Sequence, residues 1–169
     1  MEHNHDDYTI RFARPEDLEA LVQVEAECFP AAEAAGRESF RARLEVFPDS
    51  FLVAELVDGG RIIGFINGAV TDARTISDDM FENADLHNVN GAYQSIFGLD
   101  VAEEFRRRGV AAALMNRMIE TARERGKKGL ILTCKDRLIH YYEKFGYVNL
   151  GLSQSVHGGA VWYDMILEF

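Results

Sequence analysis

The sequence predicts an α/β (α+β) fold, a mixed and partly antiparallel sheet flanked by helices. Short apolar, β-branched runs alternate with segments whose apolar residues recur every three or four positions. Two of the runs, 51–56 and 61–70, are separated only by Val57-Asp58-Gly59-Gly60, a hairpin turn that makes part of the sheet antiparallel. From residue 93 onward, helical and extended segments alternate, which interleaves helices with strands.

The elements follow in order. YTIRFA (8–13) alternates and forms a first strand. Arg14-Pro15-Glu16-Asp17 turns the chain, and proline followed by acids opens a helix. Its apolar side is Leu18, Leu21, Val22 and Val24, and it ends near Cys28-Phe29-Pro30. ESFRARLEVF (38–47) is a second short helix, with Phe40, Leu44 and Phe47 near one face. FLVAEL (51–56) and RIIGFINGAV (61–70) are strands, and 71–91 is a long polar loop of the kind that carries function. YQSIFGLDV (93–101) is a strand in which Gly98 marks a bulge or a close backbone approach. A helix starts at Gly109, with Ala111, Leu114, Met115, Met118 and Ala122 at helical spacing and Gly126 as its cap. GLILTC (129–134) is a short buried strand, RLIHYYEKF (137–145) a helix ended by Gly146, and AVWYDMILEF (160–169) a closing strand.

A chain of 169 residues, 47% hydrophobic and 27% charged, fits one soluble globular domain. Residues 1–7 read as a flexible N-terminus and 8–169 as the domain. The net charge of −10 excludes a bulk attraction to nucleic acid or an anionic membrane, so any anionic ligand is held by a local device. No apolar run approaches the roughly 18 residues of a membrane span, and no basic-then-apolar leader opens the chain. Cys28 and Cys134, far apart, make no disulfide framework and point to a reducing cytoplasm. His3, His5, Asp6 and Asp7 carry ligand chemistry, but nothing downstream completes a set, so no metal is expected. The exposed edge of the last strand offers a joining surface.

FRRRGVAAALMNRM (105–118) places three arginines against a glycine where a helix begins. A helix start exposes unpaired N–H groups and the positive end of the helix dipole, a site for phosphate. Gly109 lets backbone approach a bulky anion, and Ala111, Ala112 and Ala113 keep the first turn uncluttered. The chemistry is that of a pyrophosphate cradle, although the sequence lacks the GxxxxGK[ST] phosphate loop. The alternative is a solvated loop whose arginines answer Glu103 and Glu104.

RRRGVA (106–111) matches the R/Q-x-x-G-x-G/A signature of the GNAT superfamily of N-acetyltransferases, and YYEKFGY (141–147) the later YEKxGF motif. CKDRLIHYYEKFGY (134–147) resembles the arylalkylamine N-acetyltransferases in particular. The resemblance spans about residue 8 to the C-terminus and implies a GNAT-type twisted sheet, mostly antiparallel, of about seven strands and four helices. It implies that acetyl-CoA lies in a gap between strands 93–101 and 129–134, its pantetheine arm along the backbone of Leu99, Asp100 and Val101. The pyrophosphate would sit on the N–H groups of Arg107, Arg108, Gly109, Val110, Ala111 and Ala112, with Arg106 at the first motif position. The resemblance also implies a monomer or a homodimer.

Direct transfer requires that the amine lose a proton and that the departing thiolate gain one. An alkylamine, with a pKa of about 10, arrives charged. By resemblance Tyr142 is the thiolate acid, although it also falls on the apolar face with Leu138 and Phe145, where a core tyrosine is ordinary. The histidine pair of the vertebrate arylalkylamine enzymes aligns with Ser95 and Phe97; Ser95 retains only the capacity to hold a water. Glu33, near a glutamate of insect relatives, is the first replacement base and Glu27 the second, with His87 in the loop 72–90 a third source. Cys134, at the end of a buried strand, reads as core rather than nucleophile. Net charge and acidic loops favour a cationic acceptor, and Phe29, Phe40, Phe47 and Phe81 offer aromatic walls for an arylalkyl group. The leading reading is a small-amine N-acetyltransferase; a protein or peptide N-acetyltransferase and a non-catalytic acyl-CoA-binding sensor stand as alternatives.

Overall fold

The turn at Asp58–Gly60, with φ of +83° at Gly59 and +70° at Gly60, joins β2 (Phe51–Leu56) to β3 (Ile62–Asn67). Both strands pack on both faces, because their alternate residues serve two separate cores. Leu52, Ala54, Ile63 and Ile66 face α4 (Val110–Glu124), whose Leu114, Met115 and Met118 are fully buried. Phe51, Val53, Ile62 and Phe65 face α1 (Leu18–Cys28) and α2 (Arg37–Val46) through Leu21 and Phe40. The result is three layers, helix, sheet and helix, over residues 6–169 described by this computed structural model.

Among the described residues there are nine strands and five α-helices. The first sheet has the order β1-β2-β3-β6, with β1 (Tyr8–Phe12) and β6 (Gly98–Val101) at its edges. The second runs β4-β5-β7-β9-β8, from β4 (Val70–Thr71) and β5 (Tyr93–Ile96) through β7 (Gly129–Cys134) and β9 (Tyr163–Glu168) to β8 (Val148–Leu152). Only β5 and β7 pair in parallel among the described strands.

The count exceeds the expected seven strands because two long runs divide. The run 61–70 breaks at Gly68, and 93–101 breaks at Phe97. At that break Phe97 N–H donates to Asn67 O at 2.7 Å while Gly98 is also registered on Asn67. Two residues therefore oppose one, which is the bulge expected at Gly98. The loop 71–91 holds a short helix, α3 (Asp78–Glu82). The last strand is not an edge: β9 lies between β7 and β8, so β8 is the edge, with Val148, Leu150 and Leu152 exposed. Of the supposed N-terminal tail, residues 1–5 lie outside the described residues, His3 and His5 among them; Asp6 pairs with Arg108.

Candidate active site

The bulge separates the two sheets. β5 and β7 pair as far as Ile96 and Leu132, and beyond them β6 leaves with the first sheet while β7 continues in the second. A cavity of about 260 Å³ opens between the diverging ends, lined by Phe97, Gly98 and Leu99 on one side and Thr133, Cys134 and Lys135 on the other. Ala102 N–H bonds to Ile63 O, and the antiparallel alternation then gives Gly98 and Asp100 the bonds to β3. The backbone groups of Leu99 and Val101 thus point away from β3. The Val101 carbonyl is already engaged, by Arg106 Nε at 3.0 Å and the Cys28 thiol at 3.4 Å.

The arginine turn leads from β6 into α4. Arg107 (φ +64°) and Gly109 (φ +80°) are both left-handed, which packs a tight turn directly in front of the helix. No side chain caps α4 and its first turn holds no acid, so the N–H groups of Gly109 to Ala112 remain available. The three arginines are not equivalent. Arg106 is spent on Val101 O and, at 3.4 Å, on Cys28 Sγ. Arg108 pairs with Asp6 and lies over the Phe105 ring at 5.4 Å. Arg107 has no side-chain partner among the described residues. A helix start with no side-chain cap and no acid in its first turn is chemically suited to hold a phosphate.

Tyr142, on α5 (Ile139–Glu143), lines the cavity between Tyr141 and Tyr147, whose rings lie 5.3 and 5.9 Å away. Burial pushes its phenol well above the usual value, and nearby Cys134, Tyr141 and Asp100 add to the shift. Its hydroxyl has no hydrogen-bond partner among the described residues, so it is a proton donor with its donation unspent. Cys134 donates to Met165 Sδ at 3.4 Å, and burial raises its thiol to about 11. A protonated buried thiol is inert at neutral pH, in line with its reading as core.

The four acid–base candidates do not all meet. Tyr142 and Glu33 line the cavity; Ser95 and Glu27 do not. Ser95 is fully buried and donates its hydroxyl to Ala69 O at 2.6 Å, because β5 turns that face toward β4. Glu27 sits on the outer side of α1, where it accepts from Glu103 N–H at 3.3 Å. His87 accepts from Val70 N–H at 2.9 Å and stacks near Phe47, away from the cavity. Glu33 is held by Lys135 and its backbone carbonyl accepts from His157 Nε2 at 2.8 Å.

Of the expected aromatic walls, Phe29 and Phe81 line the cavity, whereas Phe40 and Phe47 are fully buried in the cores. Phe97, His157 and Trp162 complete the wall instead. His157 stacks on Phe81 at 5.3 Å, and Trp162 donates to His157 O at 2.9 Å. Sequence reading also missed Glu25, Arg43 and Asp100 as a buried charged group. Arg43 is 5% exposed, bonds Asn67 Oδ1 at 3.0 Å and Phe81 O at 3.2 Å, and burial lowers its guanidinium to about 10. Their signal was present: Glu25 and Arg43 stand at positions of α1 and α2 where helical spacing calls for apolar residues.

The acetyltransferase (GNAT) family model matches residues 18–147. The chain is similar to the serotonin N-acetyltransferase of Mesocricetus auratus, 26% identical over 159 residues that span 92% of this chain and 74% of that protein. Among solved structures it resembles the GphF GNAT-like decarboxylase in complex with isobutyryl-CoA (24% identical, TM-score 0.77, 95% of this chain and 98% of that one). It also resembles Ard1 from Thermoplasma volcanium (24% identical, TM-score 0.72, 95% and 97%). With the family match covering well over half of its length, the chain belongs to the acetyltransferase (GNAT) family and is an acyltransferase.

Proposed function

We propose that the protein, as a single domain from about residue 8 onward, transfers acetyl from acetyl-CoA directly to a primary amine. The acceptor is a small cationic one, of the arylalkyl type. The observation that carries this reading is the Tyr142 hydroxyl, without a hydrogen-bond partner among the described residues, on the cavity where β6 and β7 part. Acetyl-CoA lies along Leu99 with its phosphates on the N–H groups of Gly109 to Ala112, which brings the thioester to that cavity. Tyr142 donates a proton to the sulfur as the C–S bond breaks.

Three features support a small arylalkyl amine. Phe81, Phe97, His157 and Trp162 form an aromatic wall. The acids Glu25, Glu33 and Glu82 line the same cavity, beside Arg43, Lys135 and Arg137. The chain is also similar to a serotonin N-acetyltransferase. The roof argues against an extended peptide: Lys135 ties Glu33 down, and a Cβ at Gly158 would stand only 2.5 Å from Glu33 Cγ. No helix among the described residues is long and apolar enough to cross a membrane, and a cytoplasmic location is part of this reading.

A thiol-release assay with purified protein, acetyl-CoA and an amine panel tests the proposal. Phenethylamine is expected to outpace a polyamine, an amino sugar and a peptide N-terminus. Fastest release with the peptide would move the reading to a peptide N-acetyltransferase. Acetyl-CoA binding without release for any amine would make the protein a sensor.

A further inference from the structure

Three buried polar side chains converge on one point of the cavity floor. A side-chain carbon placed on Gly98 would lie 3.1 Å from Asp100 Oδ1, 3.5 Å from Asn67 Nδ2 and 3.9 Å from Glu25 Oε1. Asp100 and Asn67 are each 1% exposed; among the described residues Asn67 Nδ2 has no hydrogen-bond partner, and the Asp100 carboxyl meets only the neighbouring Glu25 carboxyl. A buried polar group left without a partner is costly to keep. Gly98 and Glu25 both line the cavity, so the space above Gly98 is its polar recess. Two carboxyl groups and one N–H donor suit an amine nitrogen or a water carrying its proton; they do not suit a methyl group.

Glu25 is oriented for proton exchange. Its Oε2 accepts from Ala35 N–H at 2.8 Å, which leaves Oε1 toward the recess. Burial, and then the adjacent Glu25, hold the Asp100 carboxyl protonated well above its usual range. A protonated Asp100 carboxyl can donate a hydrogen bond to the neighbouring Glu25 side chain. The other ionisable groups around the pair are Cys28 on α1, Arg43 on α2 and Tyr142 on α5. Arg43 supplies the compensating positive charge, and burial keeps Cys28 a neutral thiol.

We propose that the recess above Gly98 receives the amino group of the acceptor, with Glu25 as the base that takes its proton and Asp100 as the hydrogen-bond partner that orients Glu25. The inference rests on the acetyltransferase reading. The ammonium gives one proton to Glu25, and the freed nitrogen lone pair attacks the thioester carbonyl carbon. The C–N bond forms, the C–S bond breaks, and the sulfur takes the Tyr142 proton. The second proton lost by nitrogen returns to the Tyr142 oxygen, and the Glu25 proton leaves to solvent. The products are amide, CoA thiol and one proton.

The test compares phenethylamine, charged at neutral pH, with O-benzylhydroxylamine, similar in size and already neutral. Glu25→Gln is expected to lower kcat/KM for phenethylamine about a hundredfold, the deficit shrinking as pH rises, and to affect the neutral amine only a few-fold. Gly98→Ala fills the recess without changing charge and is expected to cost phenethylamine about tenfold or more. Acetyl-CoA affinity by calorimetry and the melting midpoint stay near wild type. Equal losses for both amines, or phenethylamine turnover within about threefold of wild type in both folded variants, overturn the assignment. If Glu25→Gln does not fold, Gly98→Ala decides. If wild type acetylates neither amine, the arylalkylamine reading falls by itself. The recess is then judged by phenethylammonium binding: loss in Gly98→Ala supports an ammonium site, and no binding to wild type removes it.

Discussion

Lys135 Nζ lies 2.7 Å from Glu33 Oε1 and 2.9 Å from Oε2, joining the loop after α1 to the end of β7 across the mouth of the cavity. The Glu33 side chain is 8% exposed and the Lys135 side chain 24%, so the pair is largely shielded from solvent. Both residues line the cavity, and the pair pins the loop after α1 to the end of β7. Lys135→Ala and Glu33→Gln should each raise KM for the amine by about tenfold while kcat changes little, since uniform binding is what a clamp supplies. Steady-state kinetics decides; a collapse of kcat with unchanged KM in Glu33→Gln alone would make Glu33 the base.

Tyr142→Phe removes the hydroxyl and leaves the ring packing against Tyr141 and Tyr147. It should lower kcat by about a hundredfold or more, with acetyl-CoA affinity unchanged. Because burial raises the phenol, the donor form persists as pH rises. The wild-type kcat profile should show no descending limb up to about pH 10, the value of a free phenol. A descending limb near neutrality would assign the acid to another group.

The arginine turn separates backbone from side chain. Gly109 is left-handed, and a Cβ there meets no atom within 4 Å, so substitution strains the backbone rather than creating a clash. Gly109→Val should weaken acetyl-CoA binding by about tenfold or more, since a β-branched residue resists a positive φ. Arg107→Ala should cost only a few-fold, and less still at high salt, because its charge is exposed and screened. Calorimetric titration with CoA at two salt concentrations measures both.

Away from the site, Arg11 joins Asp17 at 2.9 Å and Glu55 at 2.6 Å, tying β1 to β2 and to the turn before α1. Burial pushes the Asp17 carboxyl up, but the Arg11 guanidinium and the Arg14 N–H more than reverse this and hold it below its usual value. A carboxyl lowered in the fold contributes stability above its unfolded pKa, and that stability is lost as pH falls through the folded value. Arg11→Met should therefore destabilise by about 2 kcal/mol near neutrality, because it leaves the Asp17 carboxylate with only the Arg14 N–H as a partner. The loss should shrink below about pH 4. Urea denaturation at a series of pH values checks it.

What the sequence determined by itself is local. The hairpin at Gly59-Gly60, the period of Leu114, Met115 and Met118, the bulge at Gly98 and the arginine turn depend on neighbours a few residues apart. Chain order shows those directly. Glu25 and Arg43 also left a mark, as charges on otherwise apolar helix faces, but the mark does not say which groups they meet. Only the tertiary structure decided that Ser95 faces inward while Gly98 opens onto a cavity, because a one-residue bulge redirects the strand. It also decided that residues 25, 67 and 100 surround one point. They come from α1, β3 and β6, and packing in three dimensions brings them together where no sequence spacing relates them.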